Sequence, residues 1–364
     1  MKIATLQFSP RVGDIARNFS LAESLLMREE KENLLLGLDL LVLPELAFAG
    51  YNHPSLSAIA PYLEPTAAGP STRWAARTAK RLKCTVAVGY AEAAEGEGNW
   101  NTNFDASGSS SAGKGFNSLV FVDCRGEVVT HYRKSFLYYT DETWAVEGEG
   151  FHAGVLPLGG EGGRRVKFSA GICMDINPYR FEAPWTEYEF ANFARAGRVK
   201  LVVVSMAWLT RLSIENVFGE GVGQMPDMDT VGYWVERFRP LIGPNGLEEE
   251  VIVVCANRTG EEGVAERIGD VIYAGSSCVM GLTKGDGQMD GDVRIWNIMG
   301  RAQEGILIVD TDTEPRYAVT KKAPAWNSLG DEPVETNGLG TVLGRSTGST
   351  LAGEEAGKEQ SVIA

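Results

Sequence analysis

The first 44 residues constrain the fold more than any other stretch. Residues 2–8 alternate as a strand, residues 14–30 carry Leu21, Leu25 and Leu26 on one helical face, and residues 38–44 form a short apolar run. Strand, helix, strand at this spacing is a βαβ unit, which feeds a sheet with helices on its outer face. The pattern continues: Ser71 is placed to cap a second helix running to Leu82, with Trp74, Ala75 and Thr78 on one side. Residues 84–90 read as a strand, and residues 116–122 and 127–133 as a hairpin around Asp123-Cys-Arg-Gly126. Further strands are expected at 200–206, 251–256, 271–280, 293–298 and 305–310, with a helix over 231–241. About eleven strands exceed what one twisted sheet holds comfortably, so the expectation is an α/β fold with two sheets. No composition break divides residues 1–326, which are read as a single domain; residues 327–364, rich in Gly, Ser, Thr and Glu, are read as a flexible tail. Residues 99–115, rich in Ser, Gly and Asn, are read as a mobile surface loop.

Charge and cysteine usage exclude several function classes. A formal net charge of −14 leaves no clustered basic face for nucleic acid or an anionic membrane. Five cysteines lie far apart, with no CxxC and no dense segment, as expected of free thiols in a reducing compartment. No stretch has the length of a signal peptide core or a bilayer span, so the expected location is the cytosol, with the nucleus as the alternative. Only three histidines occur, none in a metal-binding spacing, and the glycines Gly338, Gly340 and Gly344 do not lie between a strand and a helix. A reaction without metal or cofactor is therefore expected.

Three strand ends carry candidate chemistry. Val166, Phe168, Ala170 and Ile172 alternate toward Cys173, after which Asp175, Asn177 and Pro178 break the strand. A thiol at such a corner is either a small buried hydrophobe or a nucleophile facing a pocket. Glu45 follows the apolar run Leu41-Val-Leu-Pro44, and apolar flanks raise a carboxyl toward the range of a working base. Lys134 ends the strand at 127–133 and precedes Phe136-Leu-Tyr-Tyr139, which places its ammonium at a buried edge; snorkelling outward is the alternative. Glu142, eight residues on, is placed to hold that ammonium charged.

Taken together and in this order, LVLPELAFAGY with Glu45, YRKSFLYYTDETW with Lys134 and GICMDINPYRFEAPW with Cys173 resemble the nitrilase, or carbon-nitrogen hydrolase, family. The resemblance spans the first strand to about Asp310. It implies a four-layer α-β-β-α sandwich, a Glu-Lys-Cys triad of Glu45, Lys134 and Cys173, and a supporting glutamate at Glu142. It also implies amide hydrolysis through a thioester, with the oxyanion held by Lys134 and the backbone N–H of Met174. Met174-Asp175 after the cysteine resembles the amidase branches rather than nitrilases proper, although Arg180 keeps a carboxylate-binding branch open. The segments around Lys134 and Cys173 are most similar to the fungal branch that deamidates N-terminal Asn and Gln of proteins and peptides. Such a substrate needs a partner for its α-ammonium, and Asp175 and Glu182 are the nearest carboxylates in sequence. An amidase of small-molecule amides and a catalytically silent binding protein on the same scaffold are the competing readings. The sequence sets no oligomeric state.

Overall fold

The computed structural model describes residues 1–94, 114–285, 291–319 and 343–344. In chain order the strands are β1 (Lys2–Gln7), β2 (Leu40–Val42), β3 (Thr85–Glu92), β4 (Phe116–Val122), β5 (Val128–Arg133), β6 (His152–Pro157), β7 (Arg165–Ile172) and β8 (Leu201–Ser205). They continue as β9 (Val251–Ala256), β10 (Glu261–Ala265), β11 (Gly269–Ile272), β12 (Cys278–Leu282), β13 (Val293–Ile298), β14 (Gly305–Asp310), β15 (Tyr317–Val319) and β16 (Leu343–Gly344). One sheet has the order β14-β1-β2-β3-β4-β5, a second the order β16-β15-β13-β12-β9-β8-β7-β6, and β10 and β11 form a separate pair. The sheet centres are parallel: β1 with β2 and β2 with β3 in one, β7 with β8 and β8 with β9 in the other.

Side-chain parity explains the layering. In the first sheet Ile3, Leu40, Val42, Ala87, Leu119 and Phe121 face the second sheet, whereas Leu6, Leu41, Val86, Val88 and Val120 pack with Leu25, Leu26, Trp74 and Ala75 of two helices. Those helices are Ile15–Lys31 and Pro70–Leu82. In the second sheet Phe168 meets Phe121 across the inner layer with ring centroids 5.0 Å apart. Gly171, on the opposite face of β7, lies against the ring of Phe190 in the helix Glu189–Ala196. With the helix Met228–Arg237 supplying Trp234 beside Phe238, the result is a mixed α/β sandwich, helices outside and two sheets within. Among the described residues no helix is long and apolar enough to cross a membrane.

Three local expectations change. Ser71 does not cap its helix: Gly69 is the N-cap, and the Ser71 N–H and hydroxyl both donate to the buried Glu64. The run 271–280 is two strands, β11 and β12, because Gly275 and Ser276 both adopt positive φ between them. Strand β6 escapes the sequence pattern because Gly154 and Pro157 dilute it. The loop read at 99–115 lies outside the described residues up to 113, as does the tail at 327–364 apart from the pair in β16.

The ends of β2, β5, β7 and β8 converge, and they carry Glu45, Lys134, Cys173 and Ala207 into one place. Gly89 of β3 permits this approach: a Cβ there would lie 2.8 Å from Glu45 Cα, Leu46 N and Pro44 O. All three are backbone or backbone-linked atoms that cannot rotate away. Gly89→Ala is therefore expected to destabilise the protein by about 1–3 kcal/mol and to displace Glu45. Denaturant titration together with the rate of Cys173 alkylation checks this, and an unchanged midpoint would contradict the close approach.

Candidate active site

A buried ammonium organises the site. Lys134 is fully buried, and its Nζ donates to Glu45 Oε1 at 2.6 Å and to Asp141 Oδ2 at 2.6 Å. An isolated charge here would be prohibitively desolvated; two carboxylates on one ammonium make it tenable. Both carboxylates are held further. Asn117 Nδ2 donates to Glu45 Oε1 (2.7 Å) and Asp141 Oδ1 (2.9 Å), Ala207 N to Glu45 Oε2 (2.8 Å), and Tyr138 N to Asp141 Oδ2 (3.0 Å). The ammonium also lies over the Tyr51 ring, 5.7 Å from its centroid.

Cys173 follows β7 directly and opens a 3-10 turn, Cys173–Ile176. Its φ of +40° is left-handed, a conformation that costs a residue with a Cβ about 1–3 kcal/mol and is kept only where surroundings enforce it. Asp175 is what enforces it. Its carboxylate accepts from Ile172 N (2.7 Å), Phe136 N (2.8 Å), Ser135 N (3.1 Å) and the Tyr132 hydroxyl (2.8 Å). It thereby ties the Cys173 turn to the loop after Lys134. Burial pushes the Asp175 carboxyl up to about 6, and these donors oppose the rise, so it is ionised at neutral pH. Met174, second in the turn, has an N–H of the kind that a helix start leaves without an intrahelical acceptor.

Electrostatics set the proton inventory. Burial and the neighbouring Glu45 raise the Cys173 thiol well above its ordinary range, against the opposing pull of Lys134 and a hydrogen bond from the Ala207 N–H. Burial also raises Glu45, opposed by Lys134 and reinforced by Asp141. Lys134 is raised despite its burial because Asp141 and Glu45 hold it charged. The resting thiol is therefore protonated, with a carboxylate base and a fixed ammonium beside it.

The structure brings Glu45, Lys134, Cys173 and Met174 together and separates Glu142, Asp175 and Glu182 from their expected positions. Glu142 is partly exposed and pairs with Arg267 at 3.2 Å; its neighbour Asp141 faces Lys134 instead. Both lie in the 3-10 turn Asp141–Thr143, where one residue rotates the side chain by roughly a third of a turn, enough to exchange inside for outside. Asp175 is buried with all its capacity used by the protein, so it has no oxygen left for an α-ammonium. Glu182 is exposed. Asn117 and the Ala207 N–H went unnoticed in the sequence; the only available signal is a polar residue near the start of a strand otherwise apolar. Tyr138, Tyr139 and Phe181 make one aromatic cluster, with Phe181 6.2 Å and 6.0 Å from the two tyrosines. Trp185, Tyr233 and Trp208 make the other, each neighbouring pair 5.3 Å apart. Burial and the charge of a nearby Cys173 push the Tyr138 phenol up to about 12. Among the described residues no group of three His, Cys, Asp or Glu is arranged to hold a metal ion.

Comparison with known proteins adds a lineage to this geometry. Residues 2–178 match the family model described as carbon-nitrogen hydrolase. The chain is 31% identical over 324 residues to the protein N-terminal amidase of Schizosaccharomyces pombe, covering 85% of this chain and 98% of that protein. It is 28% identical to the 2-oxoglutaramate amidase of Bacillus subtilis over 90% of this chain and 96% of that one. Among solved structures, an N-terminal amidase crystallised with an Asn-Glu-Ala peptide superposes with a TM-score of 0.69 at 20% identity, covering 85% and 97% of the two chains. At that identity the superposition speaks for the fold.

Two substitutions separate Asp141 from Glu142. Asp141→Asn is expected to cost about 3 kcal/mol of stability, because Lys134 loses one of its two buried counter-charges. Glu142→Gln, at an exposed pair, is expected to stay within about 0.5 kcal/mol. Thermal and denaturant unfolding of both variants checks the assignment, and equal effects would refute it. Asp175→Asn is expected to turn an amide N–H toward backbone donors, costing about 1–3 kcal/mol for each donor left unsatisfied and slowing alkylation of Cys173.

Proposed function

Because this chain belongs to the carbon-nitrogen hydrolase family, we propose that it is a cysteine-dependent amidohydrolase that converts N-terminal Asn, and also Gln, of peptides and proteins to Asp and Glu with release of ammonia. The single observation that carries the chemistry is the contact of one fixed ammonium with Glu45 at 2.6 Å, a carboxylate whose other oxygen is held by the Ala207 N–H at 2.8 Å. Nearly full-length similarity to a protein N-terminal amidase supports the choice of substrate.

The steps follow from where the protons are. As the sulfur of Cys173 attacks the side-chain amide carbon, its proton passes to Glu45, so a free thiolate never has to exist in a site that disfavours it. The carbonyl π pair moves to oxygen. That oxyanion is met by the Lys134 ammonium and the Met174 N–H, donors fixed before the reaction begins and worth roughly 3–4 kcal/mol each in sites of this kind. Glu45 then returns the proton to nitrogen, the C–N bond breaks, ammonia leaves and a thioester remains. Water enters, gives its proton to Glu45 and attacks the thioester; the C–S bond breaks, and the thiol is regenerated as the acid departs. Lys134 keeps its charge throughout, since Asp141 holds it at every stage and the oxyanion faces it while Glu45 carries the proton. Asp175 acts on this chemistry only through geometry, by aiming Cys173 and the loop after Lys134. In the cytosol, the location proposed for this protein, a new N-terminal Asp or Glu would mark its bearer for arginylation and ubiquitin-dependent degradation.

A second reading, an amidase of a small 2-oxo or amino acid amide, is favoured by the similarity to 2-oxoglutaramate amidase across most of the chain. The exposed aromatic side chains of the segment after Cys173, Phe181 and Trp185, each more than two-fifths exposed, favour a substrate larger than a free amino acid amide.

Incubation with a peptide beginning in Asn is expected to give the mass change of amide to acid and one equivalent of ammonia, and Cys173→Ala to abolish both. Faster turnover of free glutamine or 2-oxoglutaramate than of any peptide would move the assignment to the second reading. Because Glu45 works as the carboxylate and its pKa is raised above 4.5, kcat/KM is expected to fall as pH drops through that raised value. Asp141→Asn removes a neighbour that raises Glu45, so this acid limb should move to lower pH; a pH-rate profile of the two proteins checks the sign.

A further inference from the structure

The segment from Asn177 to Glu189 bridges the two aromatic clusters. Near its start Tyr179 packs on Phe136 at 5.0 Å and Phe181 approaches Tyr138 and Tyr139, all on the loop that follows Lys134. Near its end Trp185 packs on Tyr233, which packs on Trp208, next to Ala207. The segment thus runs as a strap from the loop after Lys134 to Tyr233 and, through it, to Trp208.

Its own backbone cannot hold that course. It contains two 3-10 turns of three residues each, Tyr179–Phe181 and Trp185–Glu187. Arg180, Phe181 and Tyr188 all have left-handed φ, at +54°, +57° and +44°. Each such residue is strained and persists only where the surroundings over-determine it.

Arg237 supplies that determination. It ends the helix Met228–Arg237 and is 1% exposed. Its Nε donates to Ile176 O (2.7 Å), where the Cys173 turn finishes, and its Nη1 to Trp185 O (2.6 Å). Its Nη2 lies 3.7 Å from Glu189, whose other oxygen accepts from Tyr179 N at 3.0 Å. The guanidinium plane also sits over the rings of Trp185 and Tyr188, at 4.6 Å and 4.8 Å. One turn earlier on the same helix, the Tyr233 hydroxyl donates to Asn177 Oδ1 at 2.5 Å. Buried arginines usually satisfy a carboxylate with a bidentate fork; this one distributes its donors over carbonyls on both ends of the strap.

We propose that Arg237 is a positioning residue for substrate recognition: it fixes the strap and the exposed aromatic side chains it carries, Phe181 and Trp185, in the arrangement that a peptide N-terminus meets on its way to Cys173. This rests on the reading of peptide N-termini as substrates. The guanidinium never touches the reacting atoms, so its effect falls on binding rather than on the chemical step.

The test uses Arg237→Met, which keeps the apolar stem and removes the fork. Three measurements are made on the purified full chain: amide hydrogen exchange across residues 177–189, kcat and KM for an Asn-initiated peptide, and alkylation of Cys173 by iodoacetamide, which is small enough to need no strap. The expected result is at least about tenfold faster exchange in the strap and about tenfold higher KM. The same variant should keep kcat within about threefold of wild type and alkylate no more slowly. Millimolar guanidinium should partly restore KM. Unchanged exchange and KM would overturn the proposal, as would a loss of kcat and alkylation in step with KM, which is the signature of a collapsed site. If Arg237→Met does not accumulate as folded protein, Arg237→Lys, which keeps the charge without the planar fork, is read by the same criteria. Failure of the wild type to release ammonia from the peptide would instead refute the substrate reading, and the exchange measurement would still decide the role of Arg237.

Discussion

The Lys134 ammonium, buried between Glu45 and Asp141, is the interaction on which the rest of the site depends. In water it would be an ordinary ion pair worth little; away from water each member is tenable only because the others are present. That mutual dependence fixes three chain segments at once: the end of β2 through Glu45, the end of β5 through Lys134 itself, and the turn after it through Asp141. Asn117 on β4 donates to both carboxylates and adds a fourth segment. The cluster therefore welds the first sheet to its own loops with little freedom for any of the charged atoms, which is the condition for stabilising an oxyanion without reorganisation.

Cys173 comes from the other sheet, and the two are joined by hydrogen bonds from backbone N–H groups to buried carboxylates. Ala207 N, beyond the end of β8, reaches Glu45. Asp175 reaches from the Cys173 turn to the N–H groups of Ser135 and Phe136. These two links set the thiol against the base across the inter-sheet layer, and the left-handed backbone of Cys173 is the local strain they maintain. The thiol rests protonated, because burial and Glu45 outweigh the ammonium. In the proposed reaction, proton transfer and sulfur attack are coupled for that reason.

Much of this was legible in the chain. Alternation and spacing give the βαβ start, the hairpin of β4 and β5 and the need for two sheets, because burial of one strand face leaves a period of two in the residues. The three chemical residues are legible too, each as a reactive group placed where an apolar strand stops. Less was readable wherever one residue of phase decides. Asp141 and Glu142 are adjacent carboxylates in one turn, and nothing in their flanks says which will face inward. Asp175 sits two residues from the thiol, close enough to suggest contact with substrate, yet its oxygens are consumed by four donors, three of them backbone N–H groups that the sequence does not reveal. Arg237 lies 64 positions beyond Cys173 and looks like the end of an amphipathic helix.

The sequence by itself determined the βαβ start, the need for two sheets, the absence of metal-binding histidine spacings, and the placing of a carboxyl, an ammonium and a thiol where apolar strands stop, since each is written in local periodicity and composition. Tertiary structure alone decided which carboxylate supports Lys134, what state the thiol rests in, and what holds the strap that follows it. Those properties depend on desolvation and on hydrogen bonds between segments as much as 162 residues apart, as in the bond from Ala207 N to Glu45, and such distances exist only once the sheets have packed.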